Sequence, residues 1–269
     1  MPTLDLDAYT PERITERVEA AGVSKAELEF VSTLVLAILA GAFIAFGAML
    51  YTLIVTGSDL GFGPTRLLGG IGFSLGLILV VIAGAELFTG NNLIVMAWAD
   101  GKVSTRRLMR NWAIVFVGNL IGGFAMAIMA DLSGTFSMNA DAVGGTAIAI
   151  AEAKIALPPL EAFVRGLLCN ALVCLAIWLC FAAHSVTDKI LAIVFPISAF
   201  AALGFEHSVA NAYLIPVGYL AGADNVDLDS FIANMIPVTA GNIVGGSVCV
   251  ALVYWVVYGR RNQQQDRKL

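Results

Sequence analysis

Six apolar runs, each close to or beyond the roughly 20 residues that a helix needs to cross a bilayer, dominate this chain. They lie at 30–55, 67–98, 111–130, 163–183, 190–220 and 231–258. Hydrocarbon offers no partner to backbone N–H and C=O groups, so such runs cross as helices. Composition agrees, with 59% hydrophobic and 13% charged residues among 269 and a mean hydropathy of +0.85, whereas soluble domains carry about a quarter charged residues. The expected fold class is an all-α integral membrane protein whose solvent is the lipid bilayer. Residues 30–258 form its membrane domain, preceded by an amphipathic surface helix over 1–29 and followed by a polar tail over 259–269.

The first thirty residues carry seven acids and three bases without an apolar core, which is neither a signal nor a transit peptide. Cys169, Cys174, Cys180 and Cys249 all fall inside spans and lack a C-x-x-C spacing, so buried free thiols are expected rather than a disulfide framework or a metal site. No cofactor and no nucleic-acid partner is indicated. Orientation follows from the bases, because cytoplasmic loops hold the excess of Lys and Arg. The N-terminal segment, the loop "DGKVSTRRLMRN", the turn with Lys189 and the tail hold 12 of the 15, leaving Arg66, Lys154 and Arg165 for the other side. Both termini are expected in the cytoplasm, with loops near 56–66, 131–162 and 221–230 facing outward.

The second and fifth spans are too long and too interrupted for simple helices. Each carries Gly and polar residues in mid-span, "GAELFTGNN" (84–92) and "GFEHSVANA" (204–212), where the bilayer tolerates them only against protein or water. Both are expected to be broken helices. The interruptions share Gly-x-Glu and a later Asn at an offset of 120, and "NWAIVFVGNLIGG" (111–123) matches "NMIPVTAGNIVGG" (234–246) at an offset of 123. Two matches at nearly one offset indicate a duplication. With three spans per half, the second half must be inverted, and inverted repeats with broken helices point to a transport site at the membrane midplane.

Gly118-x-x-x-Gly122 and Gly241-x-x-x-Gly245 are packing devices that let helix backbones approach, with Asn119 and Asn242 beside them as interhelical donors. Glu206 and His207 require more, since a charge in mid-bilayer costs on the order of 3 kcal/mol or above. Glu206 has a counterpart, Glu86, in the half that lacks a histidine. Both glutamates are therefore expected to support the breaks by accepting from loose backbone N–H groups, and His207 to belong to the path. Arg165 reads as a snorkelling anchor, and His184 as an exposed, uninvolved side chain. Enzyme classes find no support: the two histidines stand 23 residues apart, H-E-x-x-H does not occur, and the G-x-S-x-G spacing at 72–76 lies inside an apolar run rather than at a strand-to-helix turn. The paired Asn-Pro-Ala motifs of a water or glycerol channel do not occur either.

"FSLGLILVVIAGAELFTGNN", "RGLLCNALVCLAIW", "GFEHSVANAYLIP" and "NMIPVTAGNIVGG" resemble the signature segments of the formate–nitrite transporter family, pentameric channels for small monovalent anions and their acids. The resemblance covers all six spans and implies an aquaporin-like inverted 3+3 repeat, a homopentamer and the cytoplasmic (inner) membrane of a bacterial-type cell. It also implies roles: His207 as the central pore histidine, Thr89 as the threonine facing it, Asn170 as the fourth-helix asparagine, and Lys154 as the vestibule lysine. Phe73 and Leu77 would form one apolar constriction, Phe200 and Val173 the other. "GFSLGLIL" and "IPVTAGNIVGG" look like the formate branch, whereas "AGAELFTG" also resembles the nitrite branch. Formate is the expected substrate, with nitrite or hydrosulfide as alternatives.

The physics points the same way. A bare carboxylate in a dry constriction is costly, and its neutral acid is much less so. Flux with anion selectivity then needs attraction outside, which Lys154 can supply, and neutralisation inside, for which His207 has an ordinary pKa of about 6.5.

Overall fold

The computed structural model describes residues 8–259. The basic residues beyond 259, counted above toward orientation, lie outside the described residues, as do the first seven. Ten α-helices follow one another in these bounds: α1 (Pro11–Glu27), α2 (Phe30–Val55), α3 (Phe62–Ala83), α4 (Ile94–Ala99), α5 (Thr105–Leu132), α6 (Ala142–Ile155), α7 (Pro159–Ala182), α8 (Val186–Leu203), α9 (Ser208–Leu220) and α10 (Leu228–Ile243). π-helical turns carry α10 on to Gly259, making one span of 32 residues. Six helices are long and apolar enough to cross a membrane.

The second and fifth spans are broken as the Gly and polar residues require. Helix α3 ends at Gly84 (φ 81°) and α8 at Gly204 (φ 74°); only a residue without Cβ takes this left-handed conformation at little cost. After each glycine the chain runs extended for several residues and then restarts, through a 3-10 turn (Gly90–Leu93) into α4 in one half and directly into α9 in the other. In each half the first span lies against both others, α2 against α3 and α5, α7 against α8 and α10, and α3 meets α8 where the halves join. Small residues allow that closeness. A Cβ on Gly122 would stand 2.1 Å from Ile38 O, and one on Gly245 2.1 Å from Leu167 O.

The stretch expected as an outer loop, 131–162, contains a helix, α6. It packs beside α9, and it makes the repeat longer than three spans: α1 to α5 correspond to α6 to α10. Helix α1, which reaches the end of the last span at Gly259, and α6 thus mark opposite faces. Cys169, Cys174 and Cys180 are buried free thiols, whereas Cys249 is exposed on the outside of the bundle, together with residues such as Phe195, Leu191 and Val31, which suit a hydrocarbon solvent.

Candidate transport path

Breaking a helix in mid-membrane frees backbone groups, and each break is resolved by the same set of side chains. At the first, Asn119 Oδ1 accepts from Phe88 N at 2.8 Å while its Nδ2 donates to Ala37 O and Glu86 O. At the second, Asn242 Oδ1 accepts from Ser208 N at 2.9 Å and its Nδ2 donates to Gly166 O and Glu206 O. The asparagines take Phe88 N and Ser208 N, and the Glu86 and Glu206 N–H groups donate to Leu36 O and Arg165 O, so the glutamate carboxylates take none of these. This corrects the expected partner of Glu86 and Glu206, whose carboxylates are turned to side chains instead.

Those side chains also repeat. Glu86 pairs with Lys25 Nζ at 2.5 Å and accepts from Asn91 Nδ2, which also reaches Asn111 Oδ1; Asn111 Nδ2 closes the ring on Lys25 O. Glu206 pairs with Lys154 Nζ at 2.9 and 3.1 Å and accepts from Asn211 Nδ2, which reaches Asn234 Oδ1; Asn234 Nδ2 closes on Lys154 O. The acids are buried, as buried charge requires a partner. Lys25 is the counterpart of Lys154, a relation that the interruption motifs alone did not reveal because the lysines sit on α1 and α6, outside the apolar runs. The asparagines were visible in the matched motifs.

A vestibule opens on each face. The one on the α6 face, about 550 Å³, is lined by Tyr51, Arg66, Phe73, Lys154, Arg165, Phe200 and His207. The one on the α1 face, about 330 Å³, is lined by Arg17, Lys25, Val80, Glu86, Leu87 and Lys189. His207 and Leu87 hold equivalent places, 120 residues apart, so the histidine is what distinguishes the floor of one vestibule from the other. Arg165 is no snorkelling anchor: its Nη1 donates to Gly204 O and its Nη2 pairs with Glu161. Neither Arg165 nor Arg66 stood out in the sequence as a vestibule residue, although both belong to the three bases set apart by the orientation count. His184 is exposed and stacks on Tyr9.

Thr89 and His207 meet, as the resemblance implies, with Oγ1 and Nε2 2.9 Å apart. His207 Nδ1 accepts the Ala210 N–H at 3.1 Å and caps α9, so the neutral ring carries its proton on Nε2 and donates it to Thr89. The hydroxyl hydrogen of Thr89 is then the donor left for an oxygen in the path. Asn170 stands one step back. Its Nδ2 donates to Asn92 Oδ1 at 2.8 Å and Asn242 O at 2.7 Å, with Thr89 O a longer, shared acceptor at 3.2 Å, tying the first break to α10 beside Thr89.

The apolar residues are not divided as expected. Phe73 and Phe200 meet edge to face with centroids 5.3 Å apart, both on the α6-face vestibule, and Phe200 lies over His207 at 6.0 Å. They share one position because α3 and α8 cross there. Leu77 and Val173 are buried in the same core, and the α1-face vestibule ends on Val80 and Leu87 instead.

Six membrane-spanning helices with two opposed half-open cavities, a hydrogen-bonded histidine and threonine at the floor of one, define a membrane transport protein rather than an enzyme. The chain belongs to the formate/nitrite transporter family, which it matches over residues 12–256. It is 38% identical to the formate channel FocA of Escherichia coli K12 over 95% of this chain and 96% of that one, and 42% identical to a probable formate transporter of Methanothermobacter thermautotrophicus over 84% and 88%. Among solved structures it resembles a pentameric formate channel with formate bound (TM-score 0.80, 41% identity, 85% of this chain and 97% of that one). It also resembles an ion channel of the same family (TM-score 0.84, 30% identity, 91% and 98%).

Proposed function

We propose that this protein conducts the anions of small monovalent weak acids, formate foremost, as a homopentamer in a bacterial-type cytoplasmic membrane with the α1 face and both termini in the cytoplasm. The observation that carries the reading is the Thr89–His207 hydrogen bond at the floor of a vestibule that also holds Lys154. An anion drawn toward Lys154 passes the Phe73–Phe200 pair and meets the Thr89 hydroxyl, oriented by His207 from the other half of the repeat. Beyond that point a neutral acid crosses apolar surroundings at far lower cost than its anion.

Proton exchange at His207 has a structural condition. An imidazolium carries a proton on both nitrogens, so Nδ1 must first release the Ala210 N–H. Proton transfer is thereby tied to opening the first turn of α9. The 12-to-3 division of bases and the E. coli relative support the orientation and membrane assigned here. Parallel flux measurements in proteoliposomes with formate, nitrite and hydrosulfide test the substrate. Formate should move fastest, and a preference for nitrite or hydrosulfide by an order of magnitude would replace formate as the substrate.

A further inference from the structure

Three cations meet in the α6-face vestibule, and two of them are paired, Lys154 with Glu206 and Arg165 with Glu161. Arg66 has no carboxylate within ion-pair distance among the described residues. Its Nε and Nη2 donate to Ala202 O at 3.0 Å and Ala201 O at 3.1 Å, the last carbonyls of α8. A guanidinium is planar and has five N–H groups. With one fork fixed on these carbonyls, the donors at its far end are directed away from them.

The surroundings of this cation are aromatic. Its Cζ lies 5.8 Å from the Tyr51 ring centroid and 5.9 Å from that of Phe62. Tyr51 in turn packs edge-on against Phe73 at 6.5 Å, and Phe73 against Phe200. Arg66 therefore stands at the rim of the vestibule, just outward of the ring pair. Guanidinium binds carboxylates in a planar, two-pronged fashion and is weakly hydrated, while the flanking rings favour an apolar body over water.

We propose that Arg66, with Tyr51, forms a docking site for carboxylates that carry a planar apolar body, and that acids too broad to pass Phe73 and Phe200 hold there and block the path from the α6 face. The blocking rests on reading this vestibule as the entrance of the path; the binding does not. On the α1 face a cation also lies over a ring, Arg17 on Tyr9 at 4.3 Å, but the position matching Phe200 there is Val80.

Radiolabelled benzoate is the probe, measured by equilibrium binding to the purified protein in detergent and by inhibition of formate flux in proteoliposomes. Arg66→Gln should weaken binding at least tenfold and relieve inhibition, and Tyr51→Ala, which removes the flanking ring, should weaken binding a few-fold. Binding to Arg66→Gln within twofold of wild type overturns the site. Should Arg66→Gln not assemble by size exclusion, Arg66→Lys keeps the charge without the fork. Wild-type binding in both Arg66→Lys and Tyr51→Ala likewise overturns it. Arg66-dependent benzoate binding in a protein that conducts no formate supports the site and sinks the formate reading instead.

Discussion

Thr89 Oγ1 and His207 Nε2 stand 2.9 Å apart although 118 residues separate them in the chain. Each comes from the break of a different half of the inverted repeat, so this one hydrogen bond joins the two halves. His207 has a second duty, the cap on Ala210 N, and the two can be separated by substitution. Asn is a good N-cap and Phe is none, the difference being about 1 kcal/mol. His207→Asn should keep thermal stability near wild type and lose the pH dependence that formate flux shows in the wild type. His207→Phe should lose both. A wild-type pH profile in His207→Asn would reduce the histidine to a hydrogen-bond donor.

The two lysine–glutamate pairs are equivalent in topology but not in burial. Lys154 is 13% exposed and Glu206 4%, whereas Lys25 is 33% exposed. Leaving a buried charge unpartnered costs about 3–5 kcal/mol, and solvent around Lys25 lowers that figure. Glu206→Gln should therefore reduce yield and melting temperature more than Glu86→Gln does. Equal losses in the two variants would show that burial does not set the difference.

Because Phe73 and Phe200 meet at one place, their truncations should act alike and not add. Phe73→Ala, Phe200→Ala and the double variant are each expected to raise flux of a larger acid such as acetate by a similar factor. Additive gains in the double variant would place the two rings at separate constrictions after all.

Helix contacts at the second glycine of each repeat leave no room for a methyl group. Gly122→Ala and Gly245→Ala each put a Cβ 2.1 Å from a carbonyl oxygen, so the loss should reach the upper end of the roughly 1–3 kcal/mol typical of overpacking. Gly145→Ala, on α6 with open space around it, is the control. Its melting temperature should equal or exceed that of wild type.

On the α1 face, Glu19 pairs with Lys102, which also pairs with Asp100. Burial holds the Glu19 carboxyl above its ordinary value of 4.5, against the opposing pull of Lys102. An acid raised in this way contributes most below its unfolded pKa and loses that contribution as pH rises through the folded one. Protection of α1 amides, corrected for intrinsic exchange, should fall as pH rises above the ordinary carboxyl value of 4.5. Glu19→Gln should flatten the change; an unaltered slope would assign it to another group.

The sequence by itself determined the six spans, the two breaks and the inverted repeat, because a bilayer leaves helices as the only way across and makes every mid-span Gly, Glu and His conspicuous. Family motifs pointed to His207, Thr89, Asn170 and Lys154 as candidates for the path. What only the tertiary structure decided is which groups face one another. Glu86 and Glu206 turn to lysines on α1 and α6 rather than to backbone, Asn119 and Asn242 take Phe88 N and Ser208 N, Phe73 and Phe200 close one position, and Arg66 and Arg165 come to the mouth. Each of these pairings spans from 31 to 136 residues or joins separate helices, and hydrophobic period and motif spacing carry no information about such distances. Side-chain partners across a membrane bundle are fixed by how helices cross, and that is settled only when the glycines have let them pack.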